Sequence, residues 1–419
     1  MRLLIVNWSS RKIGGIEDYL TNLIPALQRR DHQLAFTYEV DIPHTRERIF
    51  LPEGVPSWDM SLLGMTRTLE NMRAWRPDLI YAHGLLDPQF ESAFLDIAPA
   101  VYFSHNYYGT CISGVKTFKF PTVRPCSRRF GSACLLHYFP RRCGGRSPIT
   151  MWKLFRRESQ RLANLHKYKA IVTHSRYMQE EYIRNGIPKS RVFSFVYEIA
   201  KPQTPSPLQT TVAARTTRQT SQKRNLLFVG RMELLKGGAT LLDALPAVKE
   251  QLGGPIRLTL AGDGPKRKAW ERSAAKLTDQ DKGLEFQFTG WLDKRQLDEI
   301  YSRTDLLVVP SLWPEPFGRV GPEAGMRGIP VAAFNVGGVG DWLIDGVNGY
   351  LAPGDPPTST GLASAIVKCF DPDTYFQLVK GAVTVAAQFD LEHHLDALHE
   401  VFDRVAPAVS VQASSVFPS

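Results

Sequence analysis

The stretch "EPFGRVGPEA" at 315–324 places Glu315 and Glu323 eight positions apart around two prolines, an aromatic and two glycines. A paired acid and base for sugar cleavage needs carboxyls roughly 5 to 9.5 Å apart. Eight residues of continuous helix would separate them by about 12 Å and turn them by about 80°. That suits the two ends of one long ligand better. Pro310, Pro314 and Pro316 carry the chain out of the apolar run "LLVVP" in extended form, so Glu315 is expected in a loop at a sheet edge. Gly318 permits close backbone approach. A helix is expected from about Gly321, with Pro322 tolerated in its first turn; Glu323 in that turn could simply complement the helix dipole. Arg231 and Lys236 in "GRMELLKGG" stand between a strand and the next helix. Two cations beside a helix N-terminus suit a diphosphate.

Other residues with metal or acid–base chemistry give weaker patterns. Cys111, Cys126, Cys134 and Cys143 are separated by 14, 7 and 8 residues with no C-x-x-C pair. Reduced structural thiols are expected, with a structural metal or redox pairing as alternatives, and Cys369 is expected as a lone core residue. The Asp371-Pro372-Asp373 triplet sits where an Asp caps a helix. His393, His394 and His399 lack zinc-enzyme spacing and are expected on a polar helix face. No metal is expected to be required.

The elements that must position these groups alternate. "RLLIVN", "LAFTYEV" (34–40), "DLIYAH" (78–83), "AVYFSH" (100–105) and "AIVTHS" (170–175) read as buried strands with helices between most of them, and Ile16, Leu20, Leu23, Ile24 and Leu27 recur at helical spacing. The pattern restarts at 225 with "NLLFVG", "IRLTLAG", "LEFQFTG", "DLLVVPS" and "PVAAF". This predicts an α/β protein of two doubly wound, Rossmann-like domains. The expected divisions are a first domain at 1–198, a linker at 199–224, a second domain at 225–388, an amphipathic helix at 389–405 and a disordered tail at 406–419. Open parallel sheets bind ligands at their carboxyl edges, so a cleft between the domains is the expected site. His105 and His83 end strands facing it. His105 is expected to position an acceptor or a transferring group and His83 to line the acceptor side; each could instead be a hydrogen-bonded loop histidine.

With 419 residues, 43% of them hydrophobic and 22% charged, the chain has the composition of a soluble globular protein. Its longest apolar runs are strand-sized, and "MRLLIVNWSSRK" lacks the apolar core of a secretion signal. A cytoplasmic location is expected. Between Lys116 and Arg161 twelve Lys and Arg face the single Glu158, a net +11 in a chain whose whole charge is +10. That stretch is either a solvated face or a surface for an anionic membrane or phosphorylated acceptor. No recognition module surrounds its aromatics, so nucleic acid is not expected as a partner.

The order and spacing of "GRMELLKGG", "AGDGP", "EPFGRVGPEA" and "GIPVAAFNVGGVGDWLIDGVNGYLAPGDP" from about 225 to 355 resemble the retaining glycosyltransferases of family 4, and "GGIEDYLTNLIPAL" resembles that family's opening. Pro322 stands where the family usually has an aliphatic residue. The resemblance implies a GT-B fold and a nucleotide-diphosphate sugar as donor, with no cofactor. It implies that Arg231 and Lys236 bind the diphosphate, Glu323 the ribose hydroxyls, and Glu315 with the Phe317 and Gly318 backbone the sugar. Gly14 and Gly15 would approach the phosphates, and Glu17 is an acceptor-side candidate. The acceptor would be a glycan or lipid-linked, reached by peripheral docking at the membrane. A catalytically silent sugar-nucleotide-binding subunit and a sugar-nucleotide epimerase are the alternatives.

Overall fold

The computed structural model describes residues 1–41, 47–195 and 223–407. The expected linker lies outside the described residues except for its last two, and the expected tail except for its first two.

Among the described residues two parallel sheets form. The first contains β1 (Arg2–Ser9), β2 (Gln33–Val40), β3 (Ser57–Asp59), β4 (Leu79–Ala82) and β5 (Ala100–Ser104). A small antiparallel hairpin, β6 (Thr117–Phe118) and β7 (Arg124–Pro125), interrupts the series before β8 (Ala170–Thr173) and β9 (Val192–Ser194). The second sheet contains β10 (Arg224–Val229), β11 (Ile256–Ala261), β12 (Leu284–Gly290), β13 (Leu306–Val309), β14 (Val331–Phe334) and β15 (Gly349–Ala352). Their orders are β3-β2-β1-β4-β5-β8-β9 and β12-β11-β10-β13-β14-β15. Both reverse direction once, between β1 and β4 and between β10 and β13. Those are the points where the helices leaving adjacent strands part and a crevice opens.

The cores follow from strands buried on both faces. Leu3 to Val6 are each 1% exposed or less, and Leu4 pairs in register with Ala35 on one side and Ile80 on the other. The helix Gly15–Arg29 buries Leu20, Leu23, Ile24 and Leu27 of the predicted apolar stripe, together with Tyr19, while Ile16 is only partly buried. Three short strands, β3, β9 and β15, have no counterpart among the sequence-predicted ones. The hairpin and the six-residue helix Ala133–Tyr138 belong to a segment inserted after β5, whose own core centres on Ile112, Phe130, Tyr138 and Cys143.

The terminal helix Leu391–Val405 returns to the first sheet. Phe402 packs edge-on against Tyr81 at 5.2 Å, and the Tyr19 hydroxyl bonds His394 Nε2 at 2.7 Å. His394 is therefore fully buried and His399 lies against His32 at 2.6 Å. This corrects the expectation of three histidines on a polar face: only His393 is on the solvent side, because the helix uses its histidine-bearing face to dock. Asp371 caps the helix Pro372–Ala386 through the Asp373 amide, as expected, and Cys369 is fully buried.

Candidate active site

Lys236 and Glu315 reach one point from the two strands that flank the second sheet's switch. After β10 the chain turns through Gly230, Arg231 and the single 3-10 turn Leu234–Lys236 before entering the helix Gly238–Leu252. Gly237 has φ +71°, and a Cβ there would lie 1.7 Å from the Pro310 carbonyl oxygen. Only glycine lets the two loops close on each other. After β13 the extended loop brings Glu315 alongside Gly337, and Gly338 N–H donates to the Glu315 carbonyl at 2.7 Å. The Lys236 ammonium then donates to Glu315 Oε1 at 2.6 Å, and Ser311 donates to the same oxygen at 2.5 Å.

The helix Val320–Gly325 starts close to its predicted position and places Glu323 in its first turn, partly exposed. Pro322 fits there because that turn has no amide bond to lose. Gly318 adopts φ +90° beneath Trp342, and Trp342 Nε1 donates to the Phe317 carbonyl at 2.6 Å. The Phe317 ring is buried, so only its backbone borders the loop surface. Arg231 is two-thirds exposed and pairs with Glu233 at 2.8 Å.

The first domain reaches across to the same loop. Tyr107 donates to the Pro314 carbonyl at 2.7 Å, and Ser175 donates to the Pro316 carbonyl at 2.6 Å. Arg319 donates from Nη1 to the Gly15 carbonyl at 3.0 Å, and its Nε lies 3.6 Å from Glu323. Gly14 and Gly15 are exposed and stand opposite the helix that carries Glu323. Arg319 is not among the expected site residues, although it lies between Glu315 and Glu323 in the same motif.

Three strand-end histidines form a chain. His83 Nδ1 meets His105 Nε2 at 3.1 Å, and His105 Nδ1 meets His174 Nε2 at 2.9 Å. Burial, then the nearby Arg319 charge, pushes His105 down to about 3. Burial likewise holds His83 and His174 well below the ordinary histidine range. All three are neutral near pH 7. His105 is partly exposed but engages a neighbouring histidine with each ring nitrogen. His83 is fully buried against Tyr81 and behind His105, which corrects its expected place lining the acceptor side. His174 ends "AIVTHS" just as the other two end their strands, so the signal that found His83 and His105 applied to it as well.

Glu17 requires a correction too. It is 2% exposed. Oε2 accepts from the Gly14 amide at 2.8 Å and Oε1 from Trp8 Nε1 at 2.8 Å. Burial raises its pKa. Its carboxyl closes the helix N-terminus and shapes the glycine loop instead of facing an acceptor.

The basic stretch is less uniform than its sequence. Lys116 is buried against Glu181 at 2.5 Å, and Arg161 is buried against Glu158 at 2.8 Å. Arg124 pairs with Asp355 across the domains. No helix among the described residues is long and apolar enough to cross a membrane.

Comparisons with known proteins follow the same division. A family model described as Glycosyltransferase Family 4 matches residues 13–194, and one described as Glycosyl transferases group 1 matches residues 213–371. Glycogen synthase of Mycobacterium tuberculosis is 36% identical over 150 residues, 35% of this chain and 34% of that protein. D-inositol 3-phosphate glycosyltransferase of Thermomonospora curvata is 32% identical over 207 residues, 46% of each. The chain thus spans less than half the length of these curated relatives. The crystal structure of Anabaena Alr3699/HepE in complex with UDP and glucose superposes with a TM-score of 0.65 at 18% identity, covering 96% of this chain and all of that one. That likeness shows the fold. With both halves of the chain matched in order by the two family models, the protein belongs to the family 4 glycosyltransferases and has their GT-B architecture.

Proposed function

We propose that the protein transfers a sugar, with retention of configuration, from a nucleotide-diphosphate donor to a glycan or lipid-linked acceptor. The observation that carries this reading is the meeting of Lys236 and Glu315 at the second sheet's switch point, opposite the glycine loop that Arg319 ties to the same helix. Arg231 and Lys236 take the diphosphate and stabilise its charge as the sugar leaves. An ammonium has three donors, so Lys236 can hold a phosphate oxygen and Glu315 together. Glu315 and the Phe317 and Gly318 backbone hold the sugar, Glu323 takes the ribose hydroxyls, and Gly14 and Gly15 close on the phosphates. His105, neutral and fixed by His83 and His174, orients the reacting face as a positioning residue. Neither a protein nucleophile nor a metal is assigned to the transfer. The Anabaena protein's UDP and glucose make UDP-glucose the first donor to try.

The test is a thermal shift with UDP, GDP, ADP and dTDP on wild type and Arg231→Ala, followed by turnover of the matching sugar. One nucleotide should stabilise wild type selectively and the variant little. Nucleoside diphosphate release should require an acceptor, and NMR of the product should show the donor's anomeric configuration. Binding without turnover would indicate a silent subunit. An isomerised free sugar without acceptor would indicate an epimerase.

An anionic membrane surface is the proposed meeting place with a lipid-linked acceptor. Exposed Leu136, Phe139, Ile149 and Trp152 lie among Arg141, Arg142 and Lys153, combining apolar contact with positive charge. Binding to phosphatidylserine vesicles should fall when Arg128, Arg129, Arg141 and Arg142 are neutralised; undiminished binding would remove this element.

A further inference from the structure

The two glycines assigned to the donor phosphates bring no charge of their own. They have no side chains, and the Gly14 amide is already taken by Glu17 at 2.8 Å. The cations just before them point elsewhere: Arg11 to Asp41 at 2.6 Å and Lys12 to Glu47 at 3.0 Å. The cation that meets the glycines comes from the other domain. Arg319 follows Gly318 in the loop that carries Glu315 and immediately precedes the helix Val320–Gly325. It crosses the cleft to the Gly15 carbonyl at 3.0 Å. A Cβ built on Gly15 would lie 3.5 Å from Nη1 and 3.7 Å from Cδ, so the side chain rests directly against the loop.

Neither the Gly15 carbonyl nor Glu323 matches a guanidinium as a phosphate does. The carbonyl is neutral, and Glu323 stands 3.6 Å from Nε, beyond hydrogen-bond length. Phosphate oxygens offer the planar fork shorter, paired and charge-assisted bonds. Arg319 is also the most enclosed of three cations at the site. Its side chain is 18% exposed, against 30% for Lys236 and 66% for Arg231, so solvent screens its charge least. That charge is felt at His105 and His174, which burial holds low in the first place and Arg319 lowers further.

We propose that Arg319 is a third diphosphate-binding cation and the link through which donor binding closes the cleft. The assignment rests on the transferase reading and extends it. A guanidinium has five N–H donors, so Arg319 can keep the Gly15 carbonyl while its fork turns from Glu323 to a phosphate oxygen. Glu323 is thereby released to the ribose hydroxyls. Arg231 and Lys236 hold the diphosphate from the loop after β10, and Arg319 holds it from the loop after β13 while tethering the first domain. A ligand shifts such an equilibrium only through contacts that differ between its two states, and the exchange of Glu323 for phosphate is that difference.

The test is isothermal titration of wild type, Arg319→Leu, Arg319→Lys and Arg231→Ala with UDP, GDP, ADP and dTDP at two salt concentrations, with the melting temperature of each unliganded chain. The nucleotide that binds wild type should bind Arg319→Leu roughly 10- to 100-fold more weakly, the loss of one charge-assisted bond. Its affinity for the leucine variant should also fall less steeply with added salt, which a merely loosened loop would not produce. Arg319→Lys keeps the charge but not the fork and should fall between. Undiminished affinity in Arg319→Leu, with binding lost in Arg231→Ala, would overturn the proposal and leave the transferase reading standing. Tighter binding would make Arg319 a plug that the donor displaces, and would overturn it equally. No nucleotide binding by wild type would overturn both. Should Arg319→Leu not fold, Arg319→Gln decides by the same comparison.

Discussion

Lys236 and Glu315 form a pair in which the carboxylate side chain is 7% exposed and the ammonium 30%. Removing one partner of a buried pair leaves the other charge uncompensated, and the cost falls as the site becomes wetter. Lys236→Ala should therefore lose about 1–2 kcal/mol of stability and lower kcat/KM for transfer by roughly 10²- to 10³-fold, the range for removing one group that stabilises a departing charge. Glu315→Gln keeps the volume and an acceptor, so its stability cost should be smaller. The double variant separates the two contributions. If Lys236 holds the diphosphate, Lys236→Ala/Glu315→Gln should regain stability relative to Lys236→Ala but regain no activity. Recovery of both together would reduce the pair to a structural tie.

At the scale of elements, the site depends on turns that only glycine can make. Gly237 and Gly346 have nearly the same φ, +71° and +73°, but a Cβ on Gly237 would strike the Pro310 carbonyl and one on Gly346 would meet nothing within 4 Å. Gly346→Ala should cost about 1 kcal/mol for the left-handed backbone alone. Gly237→Ala should cost about 3 kcal/mol or more, because the loops after β10 and β13 must part. Equal melting temperatures would mean that the loops are not packed as described. These elements differ in how far the sequence revealed them. Strands such as "LLIV" and "LLVV" were legible because burial on both faces leaves a continuous apolar run, and the turn of Glu323 was legible from Pro322. The short strands β3, β9 and β15 were not, since each is only partly buried and "SWD", "VFS" and "GYLA" lack the continuous apolar run of the fully buried strands. Glu17 and His83 were recognised as chemically capable, but burial depth is set by tertiary layers that periodicity does not describe. The convergence of Cys111, Cys126, Cys134 and Cys143 as free thiols around one small cavity was hidden for the same reason: irregular turns bring them together, and their spacing alone is uninformative.

The whole molecule is joined by a helix whose amphipathic stripe was readable but whose destination was not. Leu391–Val405 leaves the second domain and docks on the first through His394 to Tyr19, through Arg30 to Glu392 and Asp396, each at 2.6 Å, and through His32 to His399. The last contact makes this junction sensitive to acid. Burial and the facing His399 push His32 down to about 4, so the folded state disfavours its charged form. A histidine with a depressed folded pKa contributes stability that is present above about pH 6.5 and lost as the pH falls toward 4, with a slope of at most about 1.4 kcal/mol per pH unit. Glu39 acts in the opposite direction over part of the same window. Burial raises it to about 7, so its contribution declines as the pH rises from about 4.5 to 7. The wild-type stability curve mixes both signs and does not isolate the junction. The difference between wild type and His32→Gln does, because Glu39 is common to both. Urea unfolding from pH 4.5 to 7.5 should show wild type losing stability relative to His32→Gln as the pH falls below 6.5. Parallel curves would place the acid response elsewhere, in the chain of His83, His105 and His174, where the same experiment on His105→Gln would then find it.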